Sequence, residues 1–263
     1  SESRTVSSRG GAQTTDFEIN IDNYDESRHF FLGHFFRDRY DQAMSKLPLV
    51  ASTAKITKIE VWVTNRRGNY NEARDIVAFS DLGENQRIGN TAEVQPSGTL
   101  RLTYNQANTL YTRVAALTDA RSIDRVNGAL SFLEDGRDYE KIGSARLLSP
   151  TEYTLNDALG YISLQSQLQP EESLAVAFQY TYGGQTYQVG EFSGDNTQNT
   201  SGCLFVKLIK GINEAPGMPF WDLMMKNVYS LDAFSVQKDK FKLDVVYQSD
   251  TVGTYVYSIQ EGN

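Results

Sequence analysis

The sequence predicts an α+β, β-rich fold: mainly antiparallel sheets, sandwich-like, with amphipathic helices packed against them. Three observations predict it. First, Leu174, Val176, Phe178, Tyr180 and Tyr182 alternate with Ala175, Ala177, Gln179 and Thr181, the period of two that a strand requires. Second, Gly183-Gly184 follows, with a return strand from Gln185 to Phe192. A two-residue hairpin turn needs positive φ, which glycine adopts because it has no Cβ to clash. Third, Tyr 15 and Phe 13 against Met 4 is a composition that favours strands.

Ser1 to Thr15 reads as a flexible tail rich in Ser, Thr and Gly. Phe17, Ile19 and Ile21 alternate as a short strand would. Asn23 with Glu26 three residues later is a capping-box signature, which predicts a helix from there to Pro48. Leu32, Phe36, Tyr40, Ala43 and Leu47 would share its buried face, widened by Phe31 and Phe35. Pro48 ends it, because a residue before proline is pushed out of the α region.

Strands are expected at Ile56 to Thr64 and Ile76 to Phe79, with loop chemistry from Glu84 to Ser97 and a further strand at Leu100 to Tyr104. Leu110, Val114 and Leu117 mark a helix. Val126, Leu130 and Leu133 mark a second, with Ser122 as its cap and Gly136 as its stop. Strands resume at Tyr139 to Leu147 and Tyr161 to Leu164, and again at Cys203 to Lys210. Pro219 to Tyr229 reads as a short helix, apolar almost all round and therefore buried on several sides. The alternation of Phe241, Leu243, Val245 and Tyr247, and of Tyr255, Tyr257 and Ile259, predicts the last strands. Residues 16–263 read as one region with a candidate division between 16–136 and 137–263.

The chain is 263 residues long with a net charge of −8. That charge, with no cluster of Lys and Arg, argues against nucleic-acid binding and against docking on an anionic membrane surface. No run approaches the ~20 apolar residues of a membrane helix. The N-terminus has no apolar core, so any targeting signal lies outside this segment or is already removed. The one cysteine, Cys203, cannot form an internal disulfide and reads as a small buried apolar residue.

Catalytic signatures are missing. There is no G-x-S-x-G, G-x-G-x-x-G or Walker loop. His29 and His34 sit five residues apart, too far round a helix to stack as a metal pair, and His34 reads as a half-buried helix histidine. No metal site and no cofactor is expected. Asp22, Asp25 and Glu26 lie close together but lack the spacing and central glycine of a calcium loop, and helix capping is the better reading. Asp195 and Asn196 invite the calcium idea with less force. The remaining candidate is a partner interface at Trp221, Met224 and Met225, whose soft and aromatic side chains suit a contact surface, against the simpler reading that they pack into their own domain.

Several long segments resemble a known family. They are NYDESRHFFLGHFFRDRYDQAMSKLP (Asn23 to Pro48), KITKIEVWVTNRRG (Lys55 to Gly68), RDIVAFSDLGE (Arg74 to Glu84), LLSPTEYTLNDALGYISL (Leu147 to Leu164), LAVAFQYTYGGQTYQVGEF (Leu174 to Phe192) and PFWDLMMKNVYSL (Pro219 to Leu231). They are similar to the SprA/Sov family, the giant outer-membrane translocon of the type IX secretion system, which also serves gliding motility in bacteria of the Bacteroidetes group. The resemblance implies a very large β-barrel that passes folded cargo across the outer membrane. This chain is far too short to be that barrel, so it would be a soluble segment of it, on the extracellular cap side or the periplasmic side. Its implied role is scaffolding, gating or contact, and its implied partners are the rest of the translocon barrel, other secretion-system subunits and secreted cargo. No catalytic residue carries over.

Two other readings compete. The central hairpin could span a membrane, since barrel strands alternate too, but capped helices between the strands argue for a soluble domain. A carbohydrate-binding or hydrolytic β-sandwich would need exposed aromatics converging on a groove, with Trp62, Tyr70 and Tyr111 as candidates.

Overall fold

The alternating run at Leu174 is the strand on which the fold closes. The computed structural model describes residues 23–66, 68, 73–86, 88–90, 92–97, 101–195 and 202–230, with the backbone of two short strands at 247–248 and 255–256. In chain order the first elements are β1 (His29–Phe31), α1 (His34–Met44), β2 (Ala54–Val63) and β3 (Arg74–Phe79). Two short helices follow, α2 (Leu110–Ala115) and α3 (Val126–Ala129). Then come β4 (Tyr139–Leu147), β5 (Tyr153–Asn156), β6 (Tyr161–Leu164), β7 (Leu174–Tyr182), β8 (Gln185–Val189) and β9 (Leu204–Lys210). The last strands are β10 (Tyr247–Gln248) and β11 (Tyr255–Val256), an antiparallel pair. Residues 1–228 and 229–263 form separate compact units. The strands on either side of Gly136 share one sheet, so the candidate division there runs through the first unit.

One edge of β7 pairs antiparallel with the whole of β2, from Ala54↔Tyr182 to Val63↔Leu174. Its other edge is shared: Leu174, Ala175 and Val176 pair with β9, and Phe178 to Tyr182 pair with β8. Strand β9 runs parallel to β3, β3 runs antiparallel to β4, and β4 returns to β2 through Trp62↔Leu147 and Val63↔Arg146. The order β2-β4-β3-β9-β7 therefore closes on itself as a five-stranded barrel, with β8 as an extra strand on β7. Thus the β-rich, mainly antiparallel α+β class holds, and the sheet goes beyond a sandwich-like pairing to full closure, which removes exposed edges. A second antiparallel sheet, β1-β6-β5, carries the remaining strands of this unit. Among the described residues no helix is long and apolar enough to cross a membrane.

The hairpin is as its sequence requires. Gly183 and Gly184 have φ of 58° and 79°, and the strands they join are in register from Tyr182↔Gln185. Both faces of β7 are covered, since Ala175 and Ala177 are as buried as Val176 and Phe178. Helix α1 lies across one face. Phe35 and Phe36 each pack their rings 5.7 Å from Tyr180, and Phe36 also meets Phe178 edge-on.

Several expected elements differ. The capping box at Asn23 does not start a helix: Ser27 takes φ of 52°, and Phe30 and Phe31 pair with β6 instead. The helix begins only after Gly33, so Leu32 is buried ahead of it and Leu47 lies beyond its end with 61% of its surface exposed. Tertiary pairing outweighed the local helical pattern here. Ser122 makes no side-chain cap; its carbonyl accepts the N–H groups of Arg125 and Val126. Strand β5 was not anticipated. The segment after Pro219 makes a single turn, Trp221–Leu223, rather than a helix, and the described part of Leu100 to Tyr104 is irregular. The expected tail at 1–15, the strand at Phe17 to Ile21 and most of the last two strands lie outside the described residues.

Gly160 is the tightest point between sheet and helix. Its φ is 66°, its carbonyl accepts the N–H of Leu32, and a Cβ there would sit 2.2 Å from the Phe36 ring. Gly217 has φ of 91° but open space around it. Gly160→Ala should lower unfolding free energy by ~3 kcal/mol or more, combining left-handed backbone strain with overpacking, whereas Gly217→Ala should lose only ~1 kcal/mol. Urea unfolding of the two variants checks this.

Candidate functional site

The parallel pairing of β3 with β9 decides where the charged residues collect. Both strands end at the same end of the barrel, where the antiparallel strands β4 and β7 begin. The turn after β3 therefore lies beside the last residues of β9. Lys207 and Lys210 on β9 are each only 1% exposed. A buried ammonium is strongly disfavoured without a counter-charge and acceptors, and each lysine has both.

Lys207 Nζ lies 2.8 Å from Glu84 Oε1 and donates to the Ser80 carbonyl. The same Glu84 oxygen accepts from the His34 backbone N–H at 3.2 Å and lies 2.9 Å from His34 Nδ1. Glu84 Oε2 has no partner among the described residues. Burial works against the Glu84 carboxylate, but the Lys207 ammonium and His34 outweigh it and hold its pKa at about 2. The cluster thus ties three elements together: the turn after β3, strand β9 and the first residue of α1. Around it, the carboxylate of Asp81 accepts from the N–H groups of Gly89 and Asn90, and Asn108 donates to the carbonyls of Asp81 and Glu84. Burial raises the Asp81 pKa despite these bonds.

Lys210 is held differently. Its Nζ donates to the carbonyls of Pro170, Glu172 and Gly211 and lies 3.7 Å from the Glu214 carboxylate. Glu140, at the start of β4, accepts from the Ser173 hydroxyl and from the Ile212 N–H at 2.8 Å. Burial raises the Glu140 pKa and lowers that of Lys210. Another buried carboxylate, Glu191, follows β8. Arg121 grips it with two bonds of 2.5 and 2.6 Å, Tyr111 donates its hydroxyl, and the Phe205 N–H completes the set. Burial first, and then Glu191, push the Tyr111 hydroxyl to about 12. Glu84, Glu140 and Glu191 each bind loops or helices to the barrel.

Two clefts open beside α1. One, of about 330 Å³, is lined by Phe31, Arg37, Asp38 and Tyr40 among others. The second, of about 260 Å³, is lined largely by Phe35, Phe36, Ala43, Leu159 and Tyr182. Neither of these two clefts is lined by Glu84, Glu140 or Glu191. Among the described residues no group of three or more His, Cys, Asp or Glu is placed to hold a metal ion.

The candidates from sequence are placed as follows. Met224 and Met225 are buried in their own unit, where Met224 bridges to Phe30 and its sulfur accepts from the Ser27 N–H; Trp221 is partly exposed, with the Lys226 ammonium over its ring. The two methionines are thus core residues rather than a free contact surface. His29 lies on β1, not on the helix, between Ser163 and Asp25, and Asp25 also pairs with Arg28. His34 is buried and not half-buried, because Glu84 holds it. Trp62 is fully buried and cannot stack on a sugar, Tyr111 is engaged by Glu191, and Tyr70 lies outside the described residues. Cys203 is buried, its thiol pushed up to about 11 by burial. Asp195 pairs with Lys58, while Asp22 and Asn196 lie outside the described residues. Glu84, Glu140, Glu191 and the two lysines were not picked out. The available signal was Lys207 within Leu204–Lys210, a charge in a strand apolar on both faces.

Because the Glu84 pKa is depressed from an unfolded value near 4.3, its contribution to stability is present above that pH and is lost as pH falls toward 2. Unfolding free energy should therefore drop between pH ~4.5 and ~2, and Glu84→Gln should show a shallower slope in that window. Denaturant titrations at a series of pH values measure both.

The sequence matches no protein-family model and no curated protein.

Proposed function

We propose that this chain is a non-catalytic domain of a giant outer-membrane protein-secretion channel of the SprA/Sov kind, serving type IX secretion and gliding motility. In that setting it acts by scaffolding, gating or contact with partner subunits and cargo. The observation that carries the reading is the resemblance itself, read against where its segments fall. The stretches at Lys55 to Gly68, Arg74 to Glu84 and Leu174 to Phe192 contain β2, β3, β7 and β8, and Asn23 to Pro48 contains α1. The likeness thus covers three of the five barrel strands, with the sheet β1-β6-β5 and α1 beside them, and leaves out β4 and β9.

The chemistry supports a mechanical role. Glu84, Glu140 and Glu191 accept from cations and N–H groups of their own fold, and the barrel they brace has its strands paired all the way round. A closed barrel with internally braced loops keeps its shape under load and presents a fixed surface, which suits a part that transmits force or positions a neighbour. As part of the full-length protein it belongs to the cell outer membrane, which it reaches through the rest of that chain.

The test is made in the full-length channel. Replacing the segment equivalent to residues 23–230 with a Gly/Ser linker of similar span should leave the channel in the outer membrane while cargo secretion falls at least tenfold and gliding stops. Unchanged secretion and gliding would overturn the reading.

A further inference from the structure

Closure spares the five ring strands an open edge, but β8 lies outside that ring and pairs only with β7. The register Tyr182↔Gln185, beside the two-glycine turn, makes those residues a hydrogen-bonded pair, and the pattern alternates from there. Tyr187, opposite Tyr180, therefore turns its N–H and carbonyl toward β7. Thr186, Gln188 and Gly190 turn theirs the other way, off the free edge. Gly190 is provided for: the Asn105 side chain donates to its carbonyl at 3.2 Å and accepts from its N–H at 2.7 Å, as a neighbouring strand would. Among the described residues nothing bonds the outward N–H and carbonyl of Thr186 or of Gln188. Thr186 is exposed and Gln188 half-buried.

An open strand edge is a template for another strand, and folds usually guard one with a charge, a proline or a bulge. Residues 185–189, Gln-Thr-Tyr-Gln-Val, hold no charge and no proline, and they pair with β7 without a shift of register. The charges beside this edge are matched within one chain, since Asp195 lies 3.3 Å from the Gln188 amide and pairs with Lys58. Spacing then selects the occupant. A second copy of the same edge, turned about a two-fold axis through Tyr187, sets Thr186 opposite Gln188 in both directions. Each outward N–H then meets an outward carbonyl, and the open rungs of one copy are filled by those of the other with none left over. Tyr187 meets Tyr187 of the second copy at the centre, a position without hydrogen bonds, where facing side chains come closest. Its ring is already held 5.5 Å from Tyr180 and 5.8 Å from Tyr104. We propose that two copies of this chain associate through β8, forming one continuous antiparallel sheet across an isologous interface. This stands apart from the channel reading, because it uses only the chain's own edge.

The test is sedimentation of the 263-residue chain over ~0.01–0.5 mM, the range suited to a small interface of few rungs. The mass should climb from the monomer toward the dimer. Thr186→Pro removes one outward donor and leaves the bonds to β7 in place, and it should weaken association at least tenfold. Tyr187→Lys and Tyr187→Glu should each weaken it as much by setting like charges face to face, while an equimolar mixture of the two should recover the dimer. That recovery separates a lost interface from a damaged fold, since mixing does not rescue a misfolded chain. Four results would overturn the proposal: a chain that stays monomeric to ~0.5 mM; a dimer that Thr186→Pro leaves intact; two charge variants, folded by circular dichroism, whose mixture stays monomeric; or a monomer whose Thr186 and Gln188 amides shift on adding the capped peptide Val-Thr-Val-Thr-Val, which would make a strand of another protein the occupant.

Discussion

An ammonium group shut away from water needs a counter-charge, and the position of Lys207 sets that demand at the point where the barrel's one parallel strand pair ends. Glu84 meets it from the turn after β3, and in doing so also receives the backbone and side chain of His34. One carboxylate oxygen thereby fixes the turn, the strand and the entry to α1. Replacing such a pair with apolar residues often leaves stability unchanged or raised, so the pair is not a large source of net stability. Its effect is selective: any arrangement that separates β3 from β9, or lifts α1 off the sheet, strands a charge in the core.

The other buried acids extend the same logic around the fold. Glu140 holds the chain entering β7 through Ser173 and the chain leaving β9 through Ile212. Glu191 holds the helical segment through Arg121 and Tyr111, and Arg121 lies over the Phe205 ring. Apolar contacts drive the collapse, with Phe35, Phe36, Phe178 and Tyr180 at their centre, but apolar contacts are not directional. The directional bonds choose one register and one placement of loops.

Much of the fold was legible in the sequence because period-two patterning and turn glycines are local signals. The turn at Gly183-Gly184 and the bounds of β4, β6 and β7 agree residue for residue with the sequence reading, while the return strand stops at Val189 rather than Phe192. The failures came where tertiary contacts overrode local pattern. The spacing from Leu32 to Leu47 is helical, yet Phe30 and Phe31 gain more by pairing with β6, and Gly33 breaks the run. Closure of the barrel depends on β4 meeting β2 at only Trp62 and Val63, which no local pattern reports. The buried acids were hidden for a similar reason: Glu84 and Lys207 are 123 residues apart in sequence, and only the parallel pairing brings them together. The methionines at 224 and 225 were readable as apolar, but not as core or surface.

The most direct measurement of this account is a double-mutant cycle on Glu84 and Lys207. Glu84→Gln keeps an acceptor for His34 while removing the charge, and Lys207→Met keeps the length of the side chain. Each single variant should lose ~3–5 kcal/mol of unfolding free energy by leaving the other charge buried alone. The double variant should lose much less than the sum, with a coupling of at least ~2 kcal/mol. Losses that add to within ~0.5 kcal/mol would contradict it, because the two residues would then contribute independently and the barrel would not be organised by their pairing.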